Sequence, residues 1–157
     1  MRVVVPAESR AGEKRVALLP DIISKLTRAG LSVAIQSKAG IHAGANDAAY
    51  TGAGATIFNQ SDLDRELSAA DVVLSVQPLS ASDISHLKRG AITISFLSAT
   101  SAGESIEAFA KAGVTAISLE AVPRISRAQS MDALTSQALC AGYKAALVAA
   151  ELSPRFF

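Results

Sequence analysis

The chain lacks most of what a specialised scaffold needs. It has one cysteine, no tryptophan and only 4% aromatic residues among its 157. A single cysteine excludes a disulfide framework and a cysteine-based zinc site, and it fits a reducing compartment. Charge is scarce as well: 18% of residues are Asp, Glu, Lys or Arg, and the formal net charge is +1. Without Lys/Arg clusters or interleaved aromatics, the composition argues against a nucleic-acid binder. Long apolar runs are also missing. The longest uncharged stretches, 48–61 and 91–103, carry Gly, Ser and Thr and fall short of the ~18 apolar residues that span a bilayer. The N-terminus opens on a strand-like run, Arg2-Val3-Val4-Val5-Pro6, with no basic segment ahead of a longer apolar one, so no secretory signal is read. The chain is predicted to be soluble, with no membrane span of its own.

Aliphatic residues are abundant: Ala, Val, Leu and Ile carry most of a 50% hydrophobic share. That share excludes disorder. At this length it suits one domain with a sizeable core, or one domain plus a linking element.

One pattern recurs: a helical stretch, a Gly, then a short β-branched run. A helix over 21–29 precedes Gly30 and a strand over 31–36, and a helix over 47–53 precedes Gly54 and a strand over 55–58. Ser61 caps a predicted helix over 62–70, followed by a strand over 72–76. Ser82 caps one over 83–89, with Gly90 and an apolar strand over 91–97 after it, and a helix over 105–112 leads through Gly113 to a strand over 114–119. Gly fits each helix end, where the backbone turns left-handed. Strands separated by single helices imply βαβ units, and apolar strands imply a parallel sheet covered on both faces. The fold class is therefore α/β, an open, doubly wound parallel sheet of about six strands, with ligands expected at the carboxyl ends of the strands.

The last segment is different. Ser130 is positioned to cap a helix over 131–152, roughly 30 Å long at ~1.5 Å per residue. A stripe of Ala138, Ala141, Ala145 and Ala149 allows close approach of a partner. Two readings fit, a linking helix that leads elsewhere and a helix folded back onto its own sheet. Cys140, among Ala and Leu, reads as a small core residue. His42 and His86 are too far apart in sequence to suggest a metal site and read as loop or surface residues.

No dinucleotide fingerprint is present. Gly52-Ala53-Gly54-Ala55-Thr56-Ile57 precedes a strand and ends in Ile, whereas a pyrophosphate needs glycines at a strand-to-helix turn. Two other segments carry chemistry. The loop after the first strand holds Glu8, Arg10, Glu13, Lys14 and Arg15, five charges in eight positions. Either Glu8 or Glu13 braces Arg15, or the guanidinium is offered to a ligand. The connection after the sixth strand offers Arg124, Gln129 and Asp132. A guanidinium, an amide and a carboxylate together suit an anion, a neutral carboxamide and ribose hydroxyls; solvated charges on a capping loop are the plainer reading.

Taken together, the two segments resemble a known family. Pro6, Glu8, Glu13, Arg15, Val16, Ala17 and Pro20 match the N-terminal signature Pro-x-Glu-x4-Glu-x-Arg-Val-Ala-x-x-Pro shared by alanine dehydrogenase and the NAD-binding subunit of proton-translocating NAD(P) transhydrogenase, while Gly12 and Leu19 depart from it. The run from Pro123 to Leu134 resembles the nicotinamide-contacting loop of the transhydrogenase subunit. Alanine dehydrogenases carry a catalytic Lys after the fourth strand and a catalytic His after the fifth; Gln77 and Ser98 stand there in this chain. Without a proton carrier, amine chemistry has no route, so the resemblance favours transhydrogenase. An alanine dehydrogenase-like fragment and a non-catalytic assembly module are the alternatives.

The resemblance implies that Arg124, Gln129 and Asp132 act at the nicotinamide end of NAD(H). Thr135 stands where relatives often have Ser and its hydroxyl would bind the cofactor in the same role, and Arg15 is a further cofactor-binding candidate, chiefly as a supporting residue of the first loop. NADP(H) would sit on a partner domain or subunit. It implies an α/β domain over 1–130, a linking helix over 131–152, and a further Rossmann domain that this chain lacks. It also implies a homodimer in the complete subunit, membrane and NADP-binding partner parts, and a cytoplasmic place peripheral to the inner membrane.

Overall fold

A computed structural model describes residues 1–98 and 103–155. The chain divides into two compact units, Met1–Ser118 and Leu119–Phe157. The first unit alternates strands and helices: β1 (Arg2–Val5), α1 (Pro20–Arg28), β2 (Ser32–Gln36), α2 (Asp47–Gly52), β3 (Thr56–Phe58), α3 (Leu63–Ala69), β4 (Val72–Leu74), α4 (Ala81–Ser85), β5 (Ile92–Ser95), α5 (Gly103–Ala112) and β6 (Thr115–Ser118). All six strands are parallel, in the order β3-β2-β1-β4-β5-β6. The direction of winding reverses between β1 and β4, where Val3 pairs with Val33 on one side and with Val72 on the other. Gly30, Gly54, Gly90 and Gly113 have φ of 81°, 98°, 83° and 65°, so each of the turns into β2, β3, β5 and β6 is made by a residue without a Cβ to clash.

Two apolar clusters fill the two faces. Ile23 of α1 and Tyr50 of α2 pack on Val3, Val5, Val33 and Ile35. On the other face, Leu67, Ile84 and Phe109, from α3, α4 and α5, pack on Val4, Ala34 and Val73. Coverage is uneven. Ile94 pairs with Leu74 and Ile117, so the three share a face. It is the α1/α2 face, and there Ile117 remains 41% exposed.

Several expected boundaries move. Gln60–Asp62 forms a 3-10 turn, so α3 begins at Leu63 without a side-chain cap from Ser61. Ser80, not Ser82, caps α4: its Oγ accepts from the Asp83 N–H at 3.0 Å and donates to Asp83 Oδ2 at 2.6 Å. That helix ends after Ser85, and His86 and Leu87 donate three residues back in the tighter 3-10 pattern. β4 ends at Leu74, two residues early, because the next free amides, Val76 and Gln77, are taken by the Glu8 carboxylate.

The second unit holds 3-10 turns at Leu119–Ala121 and Ser126–Met131, then α6 (Ala133–Leu152). Ser130 is absorbed into the second turn, and Asp132 caps α6 instead. No residue of α6 is buried, and Cys140 is exposed, not a core residue. Leu139, Tyr143 and Leu147 recur every fourth residue along one side; Leu134, Val148 and Leu152 lie along the opposite one, and all six are exposed. A helix apolar on two sides is one built to be covered. Among the described residues, no helix is long and apolar enough to cross a membrane.

Candidate functional site

The charged loop after β1 lies at the carboxyl edge of the sheet and forms a closed network. Glu8 Oε1 accepts from the Val76 N–H at 2.6 Å and Oε2 from the Gln77 N–H at 3.0 Å. This clasps the loop to the end of β4, across the point where the winding reverses. Glu13 holds Arg15 through two oxygens, accepting from Nε at 2.7 Å and Nη2 at 2.6 Å, and takes the Arg15 backbone N–H at 3.0 Å. Gln77 donates to Glu13 at 2.8 Å and accepts from Arg10 at 3.1 Å. The Arg15 guanidinium lies 5.8 Å from the centre of the Phe96 ring, within cation–π range.

These contacts have an electrostatic consequence. Hydrogen bonds from the Arg15 side chain, outweighing the opposing effect of burial and helped by Gln77, hold the Glu13 carboxyl at about 2 against a usual 4.5. The same partnership raises Arg15. Of the two readings of this loop, the structure shows the brace, with Glu13 as the partner, and it leaves the Arg15 side chain 42% exposed. Nearby, Gln36 ends a buried strand yet is itself only 6% exposed. Its Oε1 accepts from the Ala7 N–H at 2.9 Å and its Nε2 donates to Gln60 at 2.5 Å.

Gln77 and Ser98 stand at the ends of β4 and β5. Gln77 is spent on Glu13 and Arg10. Ser98 has φ of 51°, a left-handed backbone that costs a residue with a Cβ.

The second cluster lies within the second unit. Arg124, Ile125, Ser126, Gln129 and Asp132 line an open cleft of about 300 Å³. Asp132 does two jobs there. Its Oδ1 accepts from the Thr135 backbone N–H at 2.9 Å, which caps α6, and its Oδ2 accepts from the Thr135 hydroxyl at 2.6 Å. Arg124 Nε lies 3.8 Å from the same Oδ2. The Thr135 hydroxyl first, then its N–H and the Arg124 charge, hold the Asp132 carboxyl below its usual range. Arg124 is 64% exposed, and Gln129 is exposed, its carboxamide making no hydrogen bond within the described chain. Exposed Ile125 and Met131 flank these groups. The cleft therefore offers free amide donors and an acceptor, an accessible guanidinium, a charged carboxylate held in place, and apolar surface for a flat ring.

The structure brings Arg124, Gln129, Asp132 and Thr135 together on one turn and helix start. Arg15 belongs to the loop network of the first unit. Residue types alone do not single out Glu8 as the clasp on β4, nor Phe96 or Gln36. Gln36 has a readable signal: a glutamine at the end of an otherwise apolar buried strand needs a polar partner.

A six-stranded parallel sheet whose winding reverses at the centre, with a charged loop at its carboxyl edge, defines an open, doubly wound α/β protein. Residues 4–141 match the N-terminal domain of alanine dehydrogenase and PNT, and the chain belongs to that family. It is 42% identical over 152 residues to an alpha-subunit portion of the NAD(P) transhydrogenase of Rhodospirillum rubrum, a match that covers 94% of this chain and 39% of the relative. With NAD(P) transhydrogenase subunit alpha of Cereibacter sphaeroides it shares 38% identity over 157 residues, 100% of this chain and 30% of the relative. The transhydrogenase of Sinorhizobium meliloti superposes with a TM-score of 0.92 at 37% identity, over 99% of this chain and 46% of that one. An L-alanine dehydrogenase gives 0.70 at 30% identity, over 76% of this chain and 32% of that one. The chain thus spans only 30% to 39% of the length of these two curated relatives.

Proposed function

We propose that this chain is the N-terminal portion of the NAD(H)-binding subunit of a proton-translocating NAD(P) transhydrogenase. In this reading Arg124, Gln129, Asp132 and Thr135 hold the nicotinamide end of NAD(H) while hydride passes to NADP+ on a partner domain or subunit. The observation that carries it is the cleft in the second unit, where an unpaired Gln129 carboxamide and an accessible Arg124 flank a carboxylate fixed by Thr135. These groups fit a nicotinamide nucleotide: amide to carboxamide, carboxylate to ribose hydroxyl, guanidinium to phosphate.

The reaction needs no acid or base from this chain. A nicotinamide cofactor supplies the hydride, and a second one accepts it, so charge and protons balance between the two rings. The protein's contribution is orientation. Gln129 would fix the plane of the ring through its carboxamide. Asp132 is pre-set by the cap of α6, so it meets a ligand without reordering. Gln77 and Ser98 supply no Lys or His at the positions where alanine dehydrogenases carry theirs, which argues for this reading over amine oxidation.

The α/β region 1–130 would be one domain and 131–152 the link to a Rossmann domain holding most of the NAD. Uncovered apolar surface at Ile117 and along α6 supports contact with further portions of the complete subunit, a homodimer and membrane partners included. Arg15 would be a supporting residue of the first loop.

The test is Asp132→Asn and Gln129→Ala in the full-length subunit, reconstituted with its partners and followed by stopped-flow hydride transfer. Asn remains a good cap, so thermal unfolding of Asp132→Asn should be close to wild type. Both variants are expected to slow transfer at least tenfold. Unchanged transfer rates remove this cleft from the reaction, and alanine-dependent NADH formation by the complete protein would favour the dehydrogenase reading.

A further inference from the structure

The groove between α4 and α5 shares no lining residue with either loop cluster and has no assigned use. It is open, about 530 Å³ in volume, within the ~300–1,000 Å³ range of small-molecule sites. Its floor is aliphatic: Ile84 and Leu87 are 1% and 6% exposed, and Ala108 and Ala112 keep the α5 wall low. Its two cations, Arg89 and Lys111, make no hydrogen bond or ion pair with any described residue. The neighbouring Lys88, by contrast, is held by Asp71 at 2.5 Å.

Arg89 also packs against the backbone at Gly113. A Cβ on Gly113 would lie 3.1 Å from Arg89 Cγ and 3.3 Å from its guanidinium carbon, so the side chain rests on bare glycine. The Gly90 N–H donates to the Gly113 carbonyl at 2.9 Å and ties the two loops at this end.

We propose that this groove binds a single-chain anionic amphiphile, its tail along Ile84, Leu87, Ala108 and Ala112 and its carboxylate between Arg89 and Lys111. Charge complementarity argues for this occupant. Both cations sit at one end, where α4 and α5 finish, and the rest of the groove is uncharged. A ligand with one anionic head and an apolar body matches that layout. An acidic helix of a partner protein would bring carboxylates along its length and call for cations along the rims.

The experiment uses the full-length subunit, selectively isotope-labelled, titrated with dodecanoate below its micelle concentration and followed by amide NMR. Saturable shifts are expected at Ile84, Leu87, Ala108 and Ala112. The double variant Arg89→Ala/Lys111→Ala is expected to weaken binding about tenfold, with spectral changes confined to the two sites and to Gly113, on which Arg89 rests. Ala108→Phe, which fills the groove, should abolish the shifts. Dodecyltrimethylammonium, with the same tail and the opposite head, should not saturate the site. Equal binding of the cationic compound, unaltered affinity in the double variant, or shifts confined to Leu139 and Tyr143 of α6 would each overturn the proposal. Absence of dodecanoate binding at millimolar concentration would do the same and leave an acidic protein segment as the occupant to pursue.

Discussion

Replacing Glu13 with Gln isolates the brace of the first loop, and its cost can be worked from the structure. The Glu13 carboxyl lies at about 2 instead of 4.5 because the Arg15 side chain, and then Gln77, hydrogen-bond its charged form. At ~1.36 kcal/mol per tenfold change in proton affinity, that difference corresponds to about 3 kcal/mol. Arg15 is 42% exposed while Glu13 is 8% exposed, so solvent screens one side of the pair and leaves about half, ~1.5 kcal/mol. The depressed carboxyl stabilises the fold fully above pH 4.5, the unfolded value, and progressively less as pH falls towards 2, where the folded form also takes up its proton. Urea unfolding of wild type and Glu13→Gln, at fixed ionic strength between pH 7 and pH 2, measures this directly. The gap between the two proteins is expected to be ~1.5 kcal/mol at pH 7 and to close by pH 2. A gap that stays constant from pH 5 to pH 2.5 would refute the electrostatic account, and no gap at pH 7 would refute the brace itself.

Other perturbations test the packing. Gly40→Ala would put a Cβ 2.7 Å from Tyr50 Cε2 and 2.8 Å from the Ala45 carbonyl; because Tyr50 is fully buried, a loss of about 1–3 kcal/mol is expected in thermal unfolding. Tyr50→Phe removes the 2.8 Å hydrogen bond to the Leu18 carbonyl and should cost about 1 kcal/mol by chemical denaturation. If the proposed function holds, Gln129→Ala in the full-length subunit should slow hydride transfer while leaving the melting temperature in place, because that carboxamide has no partner within the described chain.

The strands and their order of appearance are legible in the sequence because Val, Ile and Leu runs alternate with glycine-closed helices, a pattern local to the chain. The caps are not. Ser61, Ser82 and Ser130 each look able to start a helix, and each loses to a neighbour with better geometry: a 3-10 turn ahead of Leu63, Ser80 for α4, Asp132 for α6. Strand ends are hidden for a different reason. β4 ends where Glu8, 68 residues away from Val76, captures its amides, and no local pattern records so distant a partner. The second-unit cluster is readable because its residues are close in sequence and match a known motif. The double use of Asp132, as cap and as candidate ligand group, emerges only from the distances. Cys140 misleads because an apolar neighbourhood in sequence need not be a buried one, and no residue of α6 is buried within the described chain.

The division after Ser118 has a consequence during synthesis. Every strand of the sheet precedes that point, and at ~5–20 residues per second the ribosome synthesises them within tens of seconds. The sheet can therefore close while later residues are still in the exit tunnel. α6 is made afterwards with leucines exposed on opposite sides, so the nascent protein passes through an interval in which the strands are complete and an uncovered apolar helix follows them. That interval is when a chaperone or an assembly partner has its opportunity to engage the chain.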